Sequence, residues 1–109
     1  MRMPAGAQAR VPHEKLVDYL LDPAHPDGAG KATLFRRLLG ITADHAHVLR
    51  DALLEAARFG DVLSRTETPH GVKYRIELTM ESKRGAYTVV NVWISEQEMP
   101  PRLVTAYVK

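Results

Sequence analysis

Cysteine is absent from this chain of 109 residues. Its absence excludes disulfide bonds, thiolate zinc sites and cysteine nucleophiles, and it leaves the redox compartment undetermined. Long apolar runs are absent too, because none approaches the roughly 20 residues of a membrane-spanning helix. The opening residues, MRMPAGAQARVPHEK, lack the apolar core of a secretory signal. We therefore expect a soluble protein that does not span a membrane and has no signal peptide.

A strong charge of one sign is also missing, since 15 lysines and arginines oppose 13 acidic residues and leave a net charge of +2. This mild basic bias permits contact with nucleic acid without requiring it. The length and the apolar share of 45% are those of one domain with one hydrophobic core. Residues 1–11 show no periodicity. We expect them to form a flexible arm ahead of a single domain over residues 12–109.

Three helical patterns follow this arm. The first, HEKLVDYLLDP, places its aliphatic residues on one stripe and stops at Pro23. The second begins after Gly30 and ends at Gly40, a residue typical of helix C-termini. The third begins at Thr42, a good N-cap residue, and closes at Gly60. The N-terminal half is therefore predicted to be helical.

Beyond this point the apolar period changes from about 3.6 residues to 2. A short strand is predicted at residues 62–66, and three longer ones follow in GVKYRIELTM, AYTVVNVWIS and RLVTAYVK. Helices followed by an antiparallel meander indicate an α+β fold. In it, three N-terminal helices pack on one face of a four-stranded antiparallel sheet.

The other sheet face is predicted to be polar and aromatic. The residues expected to face the helices are Val72, Ile76, Val90, Val92, Ile94, Val104 and Ala106. Those expected on the open face are Lys73, Arg75, Glu77, Tyr87, Asn91, Trp93, Thr105 and Tyr107. Aromatic rings on such a face can stack an unpaired base. The alternative is that they pack under a loop or against a partner protein.

The segment HPDGAGKATLF, residues 25–35, has the composition of an anion site. It is not a nucleotide-binding P-loop, because His25 stands where that motif needs glycine and Ala32 where it needs Ser or Thr. A close-approaching Gly30, free backbone N–H groups and the charge of Lys31 would still favour a phosphate. The alternative is a helix cap with a solvated lysine. Likewise, an imidazole at His25 can exchange a proton near neutrality, or it is a simple turn residue.

Several kinds of catalytic site are excluded by position. His45 and His47 lie about 200° apart around a helix and cannot share a metal ion. Glu77 is the only carboxylate expected on the open face, so a two-metal hydrolase and a paired-carboxylate glycosidase lack their residues. No metal and no cofactor is therefore expected. Acid–base and electrostatic catalysis remain, and they suit RNA, whose 2′-hydroxyl is an internal nucleophile.

The stretches YLLDPAHPDGAGKA and PRLVTAYV resemble an uncharacterised bacterial domain found alone or at the C-terminus of polymorphic toxins. That domain is similar to the nuclease toxins that include barnase, EndoU, colicins E5 and D, and RelE. The resemblance covers nearly everything after residue 12. It implies a metal-independent endoribonuclease, often acting on tRNA, and a cognate immunity or antitoxin protein as partner. It also implies action in the cytoplasm, including delivery into a target cell as part of a larger toxin.

The resemblance also implies roles for individual residues. His25 would be the proton carrier and Lys31 the cation beside the phosphate, while Thr105 would hydrogen-bond the phosphate and Tyr107 would position or stack the substrate. Lys73 and Arg102 would give secondary electrostatic support, and Arg75 and Trp93 of the predicted open face complete the expected substrate-binding residues. EndoU-like sites usually contain two histidines, and here only His25 lies in a recognisable motif, so Lys31 or Tyr107 would substitute for the second.

Two hypotheses follow. The first is a toxin-like ribonuclease that cleaves RNA through 2′-hydroxyl attack. The second is a non-catalytic module whose open sheet face binds RNA or a protein.

Overall fold

The computed structural model describes residues 1–109, and its helices precede its sheet. The first helix, α1 (His13–Lys15), continues directly into a π-helical turn (Leu16–Leu20). It is followed by α2 (Ala29–Leu39), a 3-10 turn (Ala43–His45) and α3 (Ala46–Phe59). The strands are β1 (Val62–Thr68), β2 (Gly71–Ser82), β3 (Gly85–Ser95) and β4 (Arg102–Val108). The predicted α+β architecture of three helices and a four-stranded antiparallel sheet is confirmed.

The sheet is a simple meander in which sequential strands are neighbours, in the order β1-β2-β3-β4. One hydrophobic core lies between this sheet and the helices. Phe35, Leu49 and Leu53 enter the core from the helices, and Ile76 and Trp93 enter it from the sheet, all with no exposed surface. None of the helices has the length and apolar character needed to cross a bilayer.

The predicted assignment of β3 to the two sheet faces is wrong by one residue. Tyr74 pairs with Trp93, and Ile76 pairs with Asn91, so these residues share the face that packs on the helices. Trp93 has no exposed surface, and its Nε1 donates a hydrogen bond of 2.7 Å to Asn91 Oδ1. The predicted role of Trp93 in stacking a substrate base is therefore wrong.

The face away from the helices consequently has an aliphatic centre. Lys73 pairs with Ile94, Arg75 with Val92 and Glu77 with Val90, all on this face. Thr105 and Tyr107 pair with Val92 and Val90, which confirms their predicted placement on the same face. Tyr87 and Asn91, predicted here, lie on the helical side instead because they pair with Met80 and Ile76.

The N-terminal segment is packed against the domain and is not the predicted loose arm. Met3 is only 3% exposed and belongs to the core. Gly6 lies so close to α3 that a Cβ atom there would overlap the carbonyl oxygen of Ala57. Arg10 exchanges backbone hydrogen bonds with the start of β4, to Pro101 O at 2.9 Å and from Leu103 N at 3.0 Å. These contacts tie the segment to both the helical layer and the edge of the sheet.

Candidate functional site around Tyr19

Tyr19, in the π-helical turn, joins residues from two other parts of the chain. Its hydroxyl accepts a hydrogen bond of 2.8 Å from Lys31 Nζ on α2. The same oxygen lies 3.3 Å from the hydroxyl of Thr105 on β4. The imidazole of His25 packs edge-on against the Tyr19 ring, with 5.0 Å between ring centroids. The structure thus brings together His25, Lys31 and Thr105, which the sequence singled out, around a tyrosine that it did not.

The first helical segment directs Tyr19 toward the site because the spacing of its backbone hydrogen bonds increases from four residues to five. Leu21 N donates to Leu16 O at 2.8 Å, an i to i+5 bond. Leu16, Leu20 and Leu21 are buried by this turn, whereas Tyr19 is only partly buried. Such π-turns are frequent at functional sites because they change the direction of one side chain without ending the helix. Here the turn directs the phenol toward α2 and the edge strand β4.

Gly28 allows the turn ahead of α2 to approach Tyr19 closely. A Cβ at Gly28 would overlap the Tyr19 carbonyl oxygen and would lie 2.9 Å from Cδ1 of the ring. Gly30, which the sequence predicts to approach a phosphate closely, has open space beside it, since a Cβ added there would have no neighbouring atom within 4 Å. Within the protein the close approach is made by Gly28, and it is to the backbone and the ring of Tyr19.

His25 fixes the turn directly ahead of α2. Its Nδ1 accepts hydrogen bonds of 3.0 Å from the backbone N–H groups of Asp27 and Gly28. Because Nδ1 accepts, the proton of the neutral ring is on Nε2. No hydrogen bond within the protein involves Nε2. The histidine therefore holds the turn ahead of α2 and keeps one ring N–H that is available to a ligand.

Two lysines surround the Tyr19 ring with positive charge. Lys31 Nζ lies 5.0 Å and Lys15 Nζ 5.4 Å from the ring centroid. Partial burial alone would raise the pKa of Tyr19, but the hydrogen bonds from Lys31 and Thr105 and the charges of both lysines outweigh it, and the net effect lowers this pKa. The phenolate form is stabilised as a result.

Thr105 takes part in the site because β4 is an edge strand with an irregular register. Val92 pairs with Thr105 while Trp93 pairs with Leu103, so Val104 is an extra residue on β4. Leu103 and Ala106 on either side of this irregularity are fully buried. Thr105 is thereby turned away from the core at the sheet edge, where Tyr19 contacts it. Tyr107 lies two residues further along the same face, about 7 Å away at strand spacing.

The other predicted substrate-binding residues lie outside this cluster. Arg75 Nη2 pairs with Glu77 Oε2 at 2.8 Å, and Arg102 Nη2 pairs with Glu96 Oε1 at 2.7 Å. Lys73 is exposed on β2. None of these cations forms a hydrogen bond to Tyr19 or its partners. No group of three or more potential metal-ligating side chains lies together anywhere in the chain.

A model of one protein family matches residues 2–109, nearly the whole chain. The chain belongs to the family described as Domain of unknown function (DUF6883). No curated protein matches the sequence. Among solved structures, the fold is similar to a chain of the contact-dependent growth inhibition toxin–immunity protein complex from Klebsiella pneumoniae 342. That likeness has a TM-score of 0.71 and covers 91% of this chain and 98% of the other, at 16% sequence identity. At this identity it establishes a common fold.

The sequence did carry a signal for Tyr19, although periodicity alone does not reveal it. Tyr19 interrupts the aliphatic stripe of the first helix, between Val17 and Leu20, as a large side chain with a polar tip. Such a residue needs a hydrogen-bond partner when it is partly buried. Lys31 and Thr105 meet that need, but they are 12 and 86 residues away, so only the tertiary fold shows the pairing.

Proposed function

We propose that this domain is a metal-independent endoribonuclease of the bacterial toxin type, with its site at Tyr19. The observation that carries the proposal is the Tyr19 hydroxyl, hydrogen-bonded to Lys31 and next to the hydroxyl of Thr105. The site thus contains a hydroxyl group that can accept or release a proton, and beside it a cation and further hydrogen-bond donors. These are the groups that transesterification of RNA requires. The similarity in fold to a toxin–immunity complex supports the toxin part of the proposal.

In the proposed reaction Tyr19, as phenolate, accepts the proton of the 2′-hydroxyl. The 2′-oxygen forms a bond to phosphorus, and the bond from phosphorus to the 5′-oxygen breaks. The Lys31 ammonium neutralises the developing negative charge and gives a proton to the departing 5′-oxygen. Nε2–H of His25 and the hydroxyl of Thr105 donate hydrogen bonds to the non-bridging oxygens. The products are a 2′,3′-cyclic phosphate and a 5′-hydroxyl, with no change of oxidation state.

This assignment differs from the sequence-based one in the choice of proton carrier. His25 was expected to take the proton, but its Nδ1 already accepts two backbone N–H groups. A proton on Nδ1 would break both hydrogen bonds at the start of α2. We therefore assign His25 a donating role and Tyr19 the proton transfer. Tyr107 retains its proposed role in positioning the substrate next to Thr105.

A toxin of this kind acts in a target cell and is neutralised by a cognate immunity protein in the cell that makes it. We propose both for this domain. The immunity protein would cover the Tyr19 site, since blocking RNA access neutralises the activity most directly. The competing hypothesis is a module that binds RNA or protein without cleaving it, for which the same cluster would be a structural hydrogen-bond network.

The test is incubation of total tRNA with the pure chain in EDTA, beside Tyr19→Phe. The variant retains the ring and removes only the hydroxyl. We expect cleavage by the native chain to fall at least about 100-fold in the variant, the usual range for loss of a proton-transferring group. Tyr74→Phe is the matched control, because it removes the same hydroxyl from a tyrosine on β2 that pairs with Trp93 and forms no hydrogen bond to Tyr19, Lys31 or Thr105.

Equal cleavage by native chain and Tyr19→Phe would contradict the assignment of the site. RNA that is retarded on a gel but left intact by every form would support the binding module instead.

A further inference from the structure

Four exposed cations cluster at the end of α2 that is distant from Lys31. Arg36 and Arg37 come from the last turn of α2, and Lys83 and Arg84 form the turn between β2 and β3. They line a surface cavity of about 580 Å³, together with one carboxylate, that of Glu81. None of the four is in an ion pair, although five ion pairs form elsewhere in the chain. We refer to these four residues as the basic patch.

The two halves of the basic patch are held together by a specific contact. Ser82 Oγ donates a hydrogen bond of 2.6 Å to Leu38 O, one of the carbonyl groups left free at the end of α2. The same Ser82 oxygen accepts a hydrogen bond of 3.1 Å from Arg84 N, which fixes the turn. Cations at a helix C-terminus are favourable by themselves, which accounts for Arg36 and Arg37. The helix dipole does not account for Lys83 and Arg84, which the hairpin places next to these two arginines.

Unpaired like charges in one place repel each other unless an anion lies between them. The cavity lining contains no aromatic residue, and only Leu38 and Leu39 are hydrophobic. Centres of protein–protein interfaces are rich in aromatic residues and poor in charge, so the basic patch does not resemble one. Four exposed cations without an apolar anchor match the repeated charges of a phosphodiester backbone, which are contacted without regard to sequence.

The position of the basic patch fits a single RNA that also occupies the Tyr19 site. Lys31 and Leu38 are seven residues apart on α2, which corresponds to about 10 Å along the helix axis. Thr105 pairs with Val92, and Gly85, the first residue after the hairpin turn, lies seven residues before Val92, about 23 Å along β3. Along the axis of a duplex, one strand contributes a phosphate every 3.4 Å or so. The basic patch is therefore several nucleotides from the scissile bond.

We propose that the basic patch is a second RNA-binding site, which holds the phosphate backbone of a folded RNA several nucleotides away from the bond that Tyr19 cleaves. This rests on the proposed ribonuclease function and adds to it. The basic patch contributes affinity and orientation for structured RNA and takes no part in the chemistry.

The experiment measures binding of a fluorescent stem–loop RNA across a salt series, with every form carrying Tyr19→Phe to prevent cleavage. Arg36→Gln/Arg37→Gln and Lys83→Gln/Arg84→Gln each remove two charges from the basic patch. We expect each to reduce the slope of log affinity against log salt by roughly 1.4 to 1.8, since one phosphate contact contributes about 0.7 to 0.9. The control Arg50→Gln/Arg58→Gln removes the same charge from the exposed side of α3 and should leave the slope unchanged.

Cleavage gives the second readout, in forms that retain Tyr19. The basic-patch variants should raise KM for the stem–loop and leave the rate at saturating RNA unchanged. An equal loss of slope in the α3 control would overturn the proposal, because the effect would then reflect net charge alone.

The two proposals can fail separately. If the native chain cleaves RNA and the basic-patch variants keep the native slope of log affinity against log salt, the second site is contradicted and the ribonuclease proposal stands. If the basic-patch variants change this slope but the native chain does not cleave RNA, the ribonuclease proposal is contradicted and the basic patch remains an RNA-binding site. Binding of an acidic polypeptide such as polyglutamate without binding of RNA would overturn the second site.

Discussion

Tyr19 is the residue on which the proposed chemistry depends, and its ionisation is directly measurable. Its pKa is lowered overall, because the hydrogen bonds from Lys31 and Thr105 and the charges of the two lysines outweigh the effect of burial. Lys31→Gln removes one of those charges, and we expect the tyrosinate absorbance of Tyr19 to appear at higher pH in this variant. If phenolate is the base, the acid limb of the pH–rate profile moves to higher pH in parallel.

The tyrosinate signal is isolated by subtracting the titration of Tyr19→Phe from that of each form. A titration of Tyr19 that is the same with and without Lys31 would show that the two side chains do not interact in solution as they do here.

His25 has two roles in the structure, and one pair of variants separates them. His25→Asn keeps an acceptor for the backbone N–H groups at the start of α2, whereas His25→Ala removes both acceptor and ring. We expect Ala to lower the free energy of unfolding by about 1 kcal/mol relative to Asn, because the backbone N–H groups of Asp27 and Gly28 lose the acceptor that fixes their turn. Both variants should lose cleavage activity, because neither retains Nε2–H.

Urea unfolding and RNA cleavage give the two readouts for this pair. Full activity in the Asn variant would mean that His25 only holds the turn ahead of α2.

At this scale the sequence identified three of the four residues of the cluster. His25 and Lys31 stand in a segment whose composition favours a phosphate, and Thr105 is implied by the resemblance of the last strand to nuclease toxins, whereas Tyr19 sits within an aliphatic helical stripe. Its role depends on a π-turn that shifts the side chain out of α-helical register. Helical periodicity assumes that register, so it cannot foresee the shift.

Among the secondary elements, the turn between the first helix and α2 sets the geometry of the site. Gly28→Ala would force a Cβ against the carbonyl oxygen and ring of Tyr19. We expect it to lower the free energy of unfolding by about 1–3 kcal/mol, the usual range for overpacking. Gly30→Ala meets open space within α2 and should instead raise it, by up to about 1 kcal/mol.

Both changes are read from the midpoints of urea unfolding at an unchanged slope. Similar effects of the two substitutions would mean that the turn does not pack on Tyr19 as described.

The error on β3 has a physical reason at the same scale. The segment AYTVVNVWIS is apolar on both sides, so alternation does not decide which side faces the helices. The deciding feature is the two-residue turn Lys83-Arg84, which pairs Ser82 with Gly85. This short turn fixes the register so that Trp93 lies beside Tyr74, inside the core. A two-residue turn at Lys83-Arg84, together with an inward-facing Tyr74, predicts that Trp93 faces the core.

For the molecule as a whole, the N-terminal segment completes the core. Met3 is 3% exposed, whereas Met99 is 52% exposed on the loop before β4. We expect Met3→Ala to lower the free energy of unfolding by about 2–5 kcal/mol, as for other buried methionines. Met99→Ala should change it by less than about 0.5 kcal/mol.

Chemical denaturation of the two variants checks this prediction. Equal stability of Met3→Ala and the native chain would support the flexible N-terminal arm that the sequence predicts. The segment MRMPAGAQAR has no periodicity because it packs as an irregular strap with single anchoring residues, a pattern that periodicity does not detect.

The central claim is that the cluster around Tyr19 cleaves RNA without a metal ion by attack of the 2′-hydroxyl. Mass spectrometry of the ends of RNA incubated with the native chain in EDTA tests it most directly. The account predicts 2′,3′-cyclic phosphate and 5′-hydroxyl ends, and their disappearance with Tyr19→Phe. Intact RNA, or fragments with 5′-phosphate ends, would contradict it.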